Sequence, residues 1–381
     1  MTEYHPGLDG VVATESSISD IDGGKGILSY RGYSIEDLAQ NSTFEETSYL
    51  LLTGELPKKD ELNRFSDILA KAMVLPPELI TLLKAYPKNS DSMFVLQSVV
   101  ATLGSFYNVD FDAEKLKSND YDSNYYLDVS ANLLGSIGSV VAAWNRIKEG
   151  KEIAQPSADK SYSENFMYML DSEKSVTKLI NRIINATLIL HAEHTINAST
   201  FTAMVTSSTL AKPAQVIASG IGSLSGPLHG GANQKVILML EDIGKKENVK
   251  GWLDKRLSSK QVVWGMGHRE YSTKDPRANI LTEMVKQLFE EQSGKVSNMF
   301  ETAMELERAC DEKLSQKGVY ANVDFYSGIL YKEIGIPVDL FTPLFAISRT
   351  AGWLAHWIEQ VANNKIFRPT QNYVGSKPRK L

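Results

Sequence analysis

The chain has 381 residues, of which 43% are apolar and 23% are charged, as in an ordinary globular protein of one large or two moderate domains. Its formal net charge of −6 argues against a general nucleic-acid binder, and its single cysteine, Cys310, excludes an internal disulfide and a thiolate metal cluster. There is no run of about 18 uninterrupted apolar residues and no signal-peptide pattern at the start, so we expect a cytoplasmic protein without membrane contacts.

The N-terminal part combines a weak strand signal with clear helix starts. Residues 26–32, Gly-Ile-Leu-Ser-Tyr-Arg-Gly, predict a short hairpin. A short helix is predicted to begin at Ser34. Thr43 and Glu46 then form a capping box, and Gly54 is the predicted stop of the helix that follows.

The middle of the chain is helical by its apolar periodicity. One helix is predicted from Val129 to Lys148, and a second from an N-cap at Ser175 to about Leu190. Residues 198–210 are rich in Ala, Ser, Thr and Met, so this helix is predicted to pack closely inside the protein or across a dimer contact. The sequence therefore predicts a mainly α protein.

Five glycines lie between residues 220 and 231, where they allow either a hinge between two domains or a tight turn. His229 belongs to this stretch and precedes an apolar helix that is predicted to begin near Asn233. The positive end of that helix disfavours a charged imidazole, so we expect a neutral His229 that can donate a hydrogen bond to a substrate carbonyl. A purely structural role is the alternative.

His268 follows two glycines whose backbone N–H groups can face a ligand, so it is a candidate carbonyl activator or carboxylate anchor. Nine residues later, Arg277 offers a planar fork that matches a carboxylate. Capping of a helix, or pairing with Asp275, is the alternative role for Arg277.

Asp324 lies between Val323 and Phe325, where a carboxylate is unfavourable unless it is paired or used. A partly desolvated carboxylate is a stronger base than a hydrated one, which makes Asp324 a candidate catalytic base. A helix N-cap is the alternative.

His191 and His194 are three residues apart and would share a helical face. Two such histidines can bind zinc, but the HExxH spacing of zinc peptidases is absent from the sequence. We therefore favour substrate anchoring by one of them and predict no metal site.

Two arginines near the end of the chain are further candidates. Arg349 lies in the apolar helical segment 344–357, where its guanidinium requires an anion, either a substrate or a buried acidic side chain. Arg368 lies in an exposed-looking loop, from which it could reach a site in its own subunit or in a partner; a solvated surface position is the alternative.

Five stretches together resemble citrate synthase in their residues, order and spacing. They read GPLHGGAN at 226–233, GMGHREYSTKDPR at 265–277, NVDFYSG at 322–328, SRTAGWLAHWIEQ at 348–360 and FRPT at 367–370. The opening residues, from GLDGVVATESSIS onward, resemble the start of the same family, in its short bacterial form. The resemblance covers nearly the whole chain, and the joint occurrence of the motifs is specific.

The resemblance implies an all-α, two-domain fold of about twenty helices and a homodimer, with further assembly left open. The large domain would comprise residues 1–225 and a return segment, 330–381, while residues 226–329 would form a small domain. The active site would lie between the two domains, and its closure would exclude water.

The resemblance also implies an activity, in which acetyl-CoA and oxaloacetate condense with water to give citrate and CoA. His229 would hydrogen-bond the thioester oxygen, Asp324 would remove a methyl proton, and His268 would polarise the ketone. The oxaloacetate ligands implied are His194, Arg277, Arg349 and, from the partner subunit's copy of the chain, Arg368. No permanently bound cofactor is implied, since acetyl-CoA is a co-substrate.

The segment 262–267 aligns with the loop that holds the CoA adenine in this family, through Val262, Gly265, Met266 and Gly267. Relatives often have an apolar residue at Glu270 and a cation at Ser272, so Lys274 is the expected CoA phosphate contact here. Relatives also often carry a second arginine at Thr370 and a longer C-terminal tail.

Three alternatives remain open from the sequence. A 2-methylcitrate synthase would use propionyl-CoA with the same residues, and one methylene discriminates by only about 1–3 kcal/mol. A zinc hydrolase would use His191, His194 and His229. A non-catalytic helical assembly protein would keep only the fold.

Overall fold

The computed structural model describes residues 4–107, 123–292 and 294–380. The all-α prediction is confirmed, since the described residues form sixteen α-helices, four short 3-10 helices and one small sheet. The α-helices are α1 (Ile35–Asn41), α2 (Phe44–Thr53), α3 (Lys59–Ala72), α4 (Pro77–Ala85), α5 (Ser92–Leu103), α6 (Ser123–Glu149), α7 (Tyr162–Leu170), α8 (Lys178–Ala192), α9 (Ala198–Ser208), α10 (Pro213–Leu224), α11 (Ala232–Ile243), α12 (Val249–Ser258), α13 (Pro276–Glu291), α14 (Asn298–Leu314), α15 (Val323–Glu333) and α16 (Phe341–Ala362). The 3-10 helices are Pro6–Leu8, Lys246–Asn248, Ser315–Lys317 and Val338–Leu340.

The predicted N-terminal hairpin is present and gains a third strand. Strands β1 (Ser19–Asp22), β2 (Ile27–Tyr30) and β3 (Tyr33–Ser34) form an antiparallel sheet in that order. The buried phenol of Tyr30 donates to the carbonyls of Ile189 and Glu193 at the end of α8. The sheet therefore anchors the helix end that carries His191 and leads to His194.

Helix boundaries follow capping chemistry. Thr43 and Glu46 form the predicted capping box of α2, and Gly54 ends that helix in the left-handed conformation. The prediction of Ser175 as the N-cap of α8 was wrong, because the hydroxyl of Thr177 accepts from the Ile180 N–H and the helix begins two residues later. Both residues are good caps, and sequence alone does not choose between them.

Helix α16 is the central helix of the larger part of the molecule. It contacts α2, α6, α8, α9 and α10, and the segment 341–357 is buried throughout. Burial on all sides explains why its sequence is apolar around the helix rather than along one face. The same burial places Arg349 and His356 inside the protein, each 1% exposed.

Within α6, the segment Asn124–Glu149 is long and apolar enough to cross a membrane by length and composition, and 89% of its apolar window is buried inside the protein. It packs on α3, α5, α7 and α16. This helix is therefore part of the hydrophobic core.

Helices α11 to α15 pack largely on one another. α13 and α11 both contact α15, and α14 contacts α11 and α12. This grouping coincides with the segment 226–329 that the sequence assigns to a small domain, and the domain boundaries stay a prediction. Of the clustered glycines, Gly220 and Gly222 lie within α10, while residues 226–231 form the turn that carries His229.

Candidate active site

Two loops distant in sequence are joined by backbone hydrogen bonds. The Gly267 N–H donates to the Tyr320 carbonyl at 2.7 Å, and the Asn322 N–H donates to the Gly265 carbonyl at 2.9 Å. Both glycines have positive φ, 77° at Gly265 and 87° at Gly267. A Cβ at Gly265 would lie 2.9 Å from Phe325. Only glycine fits this close approach without strain. The bridge places His268 beside the start of α15.

His268 is held as a neutral imidazole with one nitrogen free. Its Nδ1 accepts from the Glu270 N–H at 3.0 Å, so the proton of the neutral ring is on Nε2. Burial and, to a smaller extent, the Arg277 charge lower the pKa of His268 to about 4. The Nε2–H group can therefore donate to a ligand near pH 7.

His194 and Tyr271 pack against His268 in one cluster. The ring centroids of His194 and His268 are 4.9 Å apart, as are those of His268 and Tyr271. His194 Nε2 lies 3.1 Å from the Tyr271 hydroxyl. Burial, followed by the charge of Arg277, lowers the pKa of His194 well below its usual value. The cluster is thus an uncharged polar surface beside a buried cation.

Arg277 is paired with Asp275. The sequence left this pairing open as the alternative to binding of a ligand carboxylate. Its Nε and Nη2 donate to the two carboxylate oxygens of Asp275 at 3.0 and 2.8 Å, and both residues are almost completely buried. Asp275 Oδ2 also accepts from the Val323 N–H at the start of α15. Burial would raise the pKa of Asp275, but Arg277 outweighs it and holds the pKa below its usual value. The pair fixes the guanidinium and leaves its Nη1 side for a ligand.

Asp324 is the second residue of α15, and the N-cap is Asn322, whose side chain accepts from the Asp324 N–H at 3.0 Å. The N-cap alternative for Asp324 is therefore wrong. Oδ1 of Asp324 is covered and has no hydrogen-bond partner in the described part of the chain. Burial raises the pKa of Asp324 to about 7, against the opposing charges of Arg277 and Arg349. Such a carboxyl can take up a proton near neutral pH.

His229 lies in the turn before α11, as predicted, and its Nε2 contacts the start of α9. The Ser199 N–H, which can only donate, lies 3.3 Å from this nitrogen. Asn197 Oδ1 lies 3.2 Å from the same nitrogen, but this oxygen already accepts from the Ser199 hydroxyl and the Thr200 N–H. We therefore assign Nε2 as the acceptor of the Ser199 N–H and the proton to Nδ1. Burial, and then the charge of Arg349, lower the pKa of His229 to about 4. The expected neutral state thus has burial as its main cause, rather than the helix dipole that the sequence suggested.

Arg349 donates from Nε to the His191 carbonyl at 2.8 Å and stacks near the Phe345 ring, 4.9 Å from its centroid. Burial lowers the pKa of Arg349 to about 10, so the group stays charged at neutral pH. The charge of Arg349, of Arg277 or of both acts on the pKa of four groups: His194, His229, His268 and Asp324. These four side chains therefore lie within electrostatic range of one or both guanidinium groups.

Known proteins resemble the chain over its whole length. A family model described as "Citrate synthase, C-terminal domain" matches residues 7–370. The citrate synthase of Acidithiobacillus ferridurans is 46% identical over 378 residues, which cover 99% of this chain and 97% of the relative. The crystal structure of citrate synthase from Thermotoga maritima is 39% identical, with a TM-score of 0.86, and the match covers 98% of this chain and 97% of that one.

A second solved structure is the ternary complex of carboxymethyl coenzyme A and oxaloacetate with citrate synthase from Thermoplasma acidophilum. It is 33% identical, with a TM-score of 0.92, and the match covers 100% of this chain and 98% of that one. The chain belongs to the citrate synthase family. It is accordingly an enzyme, an acyltransferase of the citrate (Si)-synthase class.

Three groups that the resemblance assigns to a citrate synthase site have no hydrogen bond or ion pair with this cluster in the described part of the chain. Arg368 is exposed, and its Nη1 donates to the Pro369 carbonyl at 2.8 Å. Val262 is 58% exposed. The Lys274 ammonium forms an ion pair with Glu307 at 2.6 Å, in a cavity of about 490 Å³ on the far side of α15. Their predicted roles stay predictions.

Several residues of this citrate synthase site were missed in the sequence. Asn197 is the N-cap of α9, and its Oδ1 lies 3.2 Å from His229 Nε2, while its amide donates to the His194 carbonyl. The signal was available, because Asn197 followed by Ala-Ser-Thr is a helix start just after His194. Tyr271 gave no comparable signal. Among the described residues, no three His, Cys, Asp or Glu side chains are grouped to hold a metal ion.

The raised pKa of Asp324 predicts that Asp324→Asn stabilises the protein at neutral and alkaline pH. Because the folded pKa exceeds the value of 3.8 for an unperturbed Asp, the folded state binds the extra proton, and stability falls as pH rises from about 4 to about 7. The variant lacks this penalty and should gain up to about 4 kcal/mol above pH 7. Urea unfolding at several pH values measures the difference, which should shrink towards pH 4. An equal stability of the two proteins at every pH would contradict the assignment.

Proposed function

We propose that this enzyme condenses acetyl-CoA, oxaloacetate and water to citrate and CoA, with Asp324 as base, His229 as donor to the thioester oxygen and His268 as donor to the ketone. The observation that carries the proposal is a covered Asp324 Oδ1, without a hydrogen-bond partner among the described residues, that lies within electrostatic range of the same two buried guanidinium groups as two neutral imidazoles. This combination suits proton removal next to a carbonyl together with the binding of a dianion.

The first step is enolisation of acetyl-CoA. Even with a pKa near 7, a carboxylate is far too weak a base to remove a thioester methyl proton without stabilisation of the developing charge. The Nδ1–H of His229 supplies this stabilisation at the thioester oxygen while Asp324 takes the proton. A neutral imidazole suits the task, because it is already the donor at neutral pH and needs no prior proton loss.

Oxaloacetate is the acceptor in the second step. The Nε2–H of His268 donates to its ketone oxygen, which makes the ketone carbon more electrophilic. Arg349 and the Nη1 side of Arg277 bind its two carboxylates, with His194 as a further ligand. Both guanidinium groups are held by contacts with the protein, so little reorganisation accompanies substrate binding.

Carbon–carbon bond formation and hydrolysis complete the sequence. The enol carbon attacks the ketone carbon and gives citryl-CoA, whose new hydroxyl takes up a proton. Water then adds to the thioester carbonyl, and the carbon–sulfur bond breaks to release citrate and CoA. Closure of the segment 226–329 over the larger part would exclude water until condensation is complete.

The direct test is CoA release with oxaloacetate and either acetyl-CoA or propionyl-CoA, with the product identified by mass. We expect acetyl-CoA to have the higher kcat/KM and citrate to be the product. Preference for propionyl-CoA would instead assign a 2-methylcitrate synthase. Absence of CoA release with both thioesters would contradict the proposal.

The proposal includes a cytoplasmic homodimer in which Arg368 completes the oxaloacetate site of the other subunit. Arg368 is exposed in one chain and could therefore reach a neighbouring subunit. Arg368→Ala should raise the oxaloacetate KM by about 10- to 100-fold, as for the loss of one charge-assisted hydrogen bond, with a smaller effect on the acetyl-CoA KM. Steady-state kinetics measure both constants. Arg379→Ala, which removes another exposed arginine of the same segment, is the control and should leave them unchanged. An unchanged oxaloacetate KM in the Arg368 variant would remove this residue from the site.

A further inference from the structure

The mechanism leaves one fully buried carboxylate without a role. Glu193 directly follows α8 and has no exposed surface. Its Oε1 accepts from His356 Nε2 at 3.1 Å and from the Ser19 hydroxyl at 3.0 Å. Its Oε2 is covered and has no hydrogen-bond partner among the residues described. A buried charge of this kind is costly unless another charge balances it.

The Glu193 carboxylate lies against α16 at Gly352, a residue between Arg349 and His356 in the sequence. A Cβ at Gly352 would be 2.3 Å from Glu193 Oε2, and Gly352 is three residues after Arg349 and four before His356 on the same helical face. Arg349 donates to the carbonyl of His191, two residues before Glu193. The guanidinium and the carboxylate are thus held by the same end of α8.

Two other groups, His356 and Arg31, lie within electrostatic range of this carboxylate. His356 donates from Nε2, and its Nδ1 is buried without a partner in the described residues. The guanidinium of Arg31 is engaged by the Leu51 carbonyl and by the Ser17 hydroxyl. Arg349, in turn, has no carboxylate within 4.0 Å in the described part of the chain. Burial lowers the pKa of Arg349, and the charge of Glu193 is the strongest opposing influence; burial would raise the pKa of Glu193, but His356 and then Arg349 outweigh it.

We propose that Glu193 is the counter-ion of Arg349 in the ligand-free enzyme, held in place by His356 and Ser19, and that it limits the affinity for the oxaloacetate dianion. When a substrate carboxylate binds Arg349, that carboxylate becomes the nearer anion, and the repulsion between it and Glu193 opposes binding. The ligand-binding part of this inference rests on the proposed function, whereas the counter-ion part does not.

Glu193→Gln tests the counter-ion role, because glutamine keeps the acceptor for His356 and Ser19 and removes only the charge. The variant should lower the midpoint of thermal unfolding by about 3–8 °C. In an Arg349→Gln background this cation is absent, so the same substitution should lower the midpoint by much less. A decrease of equal size in both backgrounds would show a merely structural anchor and overturn the proposal.

The matched control is Glu45→Gln. Glu45 is also buried. One of its oxygens accepts from the Tyr162 N–H, and the other, like Oε2 of Glu193, is unpartnered within the described residues. Because Glu45 forms no hydrogen bond or ion pair with Arg349 in the described part of the chain, its substitution should change the midpoint equally in both backgrounds. A background-dependent effect of Glu45→Gln would count against a specific Glu193–Arg349 interaction.

Calorimetric binding of oxaloacetate is the second measurement, and it decides the matter if Arg349→Gln does not fold. By linkage, a substitution that destabilises the ligand-free form more than the bound form increases affinity, so Glu193→Gln should tighten oxaloacetate binding by about 3- to 10-fold. Glu45→Gln should leave it unchanged. An unchanged or weaker affinity of the Glu193 variant would overturn the inference. Absence of oxaloacetate binding by the unmodified enzyme would instead refute the proposed function, and the unfolding comparison would still test the counter-ion.

Discussion

Asp324→Ala should lower kcat for citrate formation by about 10²–10⁴, the usual effect of losing a general base. The expectation follows from an Oδ1 that has no partner among the residues described and from a pKa raised by burial to about 7, which suits a group that accepts a proton and later returns it. Steady-state CoA release measures kcat, and circular dichroism with size-exclusion chromatography checks that the variant remains folded and assembled.

Asp311→Asn provides the control for this substitution. Burial also raises the pKa of Asp311, but the residue lines the cavity on the opposite face of α15, with Glu307 and Tyr326. Its variant should keep kcat within about twofold, because Asp311 is none of the residues to which a part in proton transfer or ketone activation is assigned. Near-normal turnover in Asp324→Ala would remove Asp324 as the base, whatever the Asp311 variant does.

The two catalytic imidazoles should respond in opposite order to asparagine and glutamine. An asparagine amide places its N–H donor near the Nδ1 position of histidine, while a glutamine amide places it near Nε2. The proton of His229 is on Nδ1 and that of His268 is on Nε2, because the Ser199 and Glu270 N–H groups donate to the other nitrogens. We therefore expect His229→Asn to retain more activity than His229→Gln, and His268→Gln more than His268→Asn.

The expected differences in kcat among these four histidine variants are large enough to be ranked. Loss of one such donor should lower kcat by about 10²–10³, and the amide that keeps the donor should recover about tenfold of that loss. All four variants are compared at saturating oxaloacetate and acetyl-CoA. The same order of asparagine and glutamine at both positions would contradict the assigned tautomers, and wild-type kcat in either pair would exclude that histidine from the chemistry.

The fold could be predicted where local chemistry determines it. The capping box at Thr43 and Glu46, the stop at Gly54 and the apolar period of α6 each depend on residues close in sequence. The start of α8 could not be assigned, because Ser175 and Thr177 are equally good caps and packing decides between them. The arrangement of the helices depends on contacts between distant segments and could be expected only from the family resemblance.

The candidate site divides in the same way. His229, His268 and Asp324 could be selected because each is an unusual residue type in its local surroundings. Their protonation states could not, since the partners that fix them include Ser199, 30 residues away from His229. The pairing of Glu193 with His356 spans 163 residues, and no local pattern indicates it.

The backbone bridge between residues 265–267 and 320–322 has a consequence for redesign. His268 follows one of the two bridged segments and Asp324 follows the other. A shift of either segment should therefore move the proposed ketone activator and the proposed base together. Arg349 belongs to α16, which lies outside the bridge. A redesign for a different keto acid should therefore begin with side chains of α16. Substitutions there should leave the distance between His268 and Asp324 unchanged.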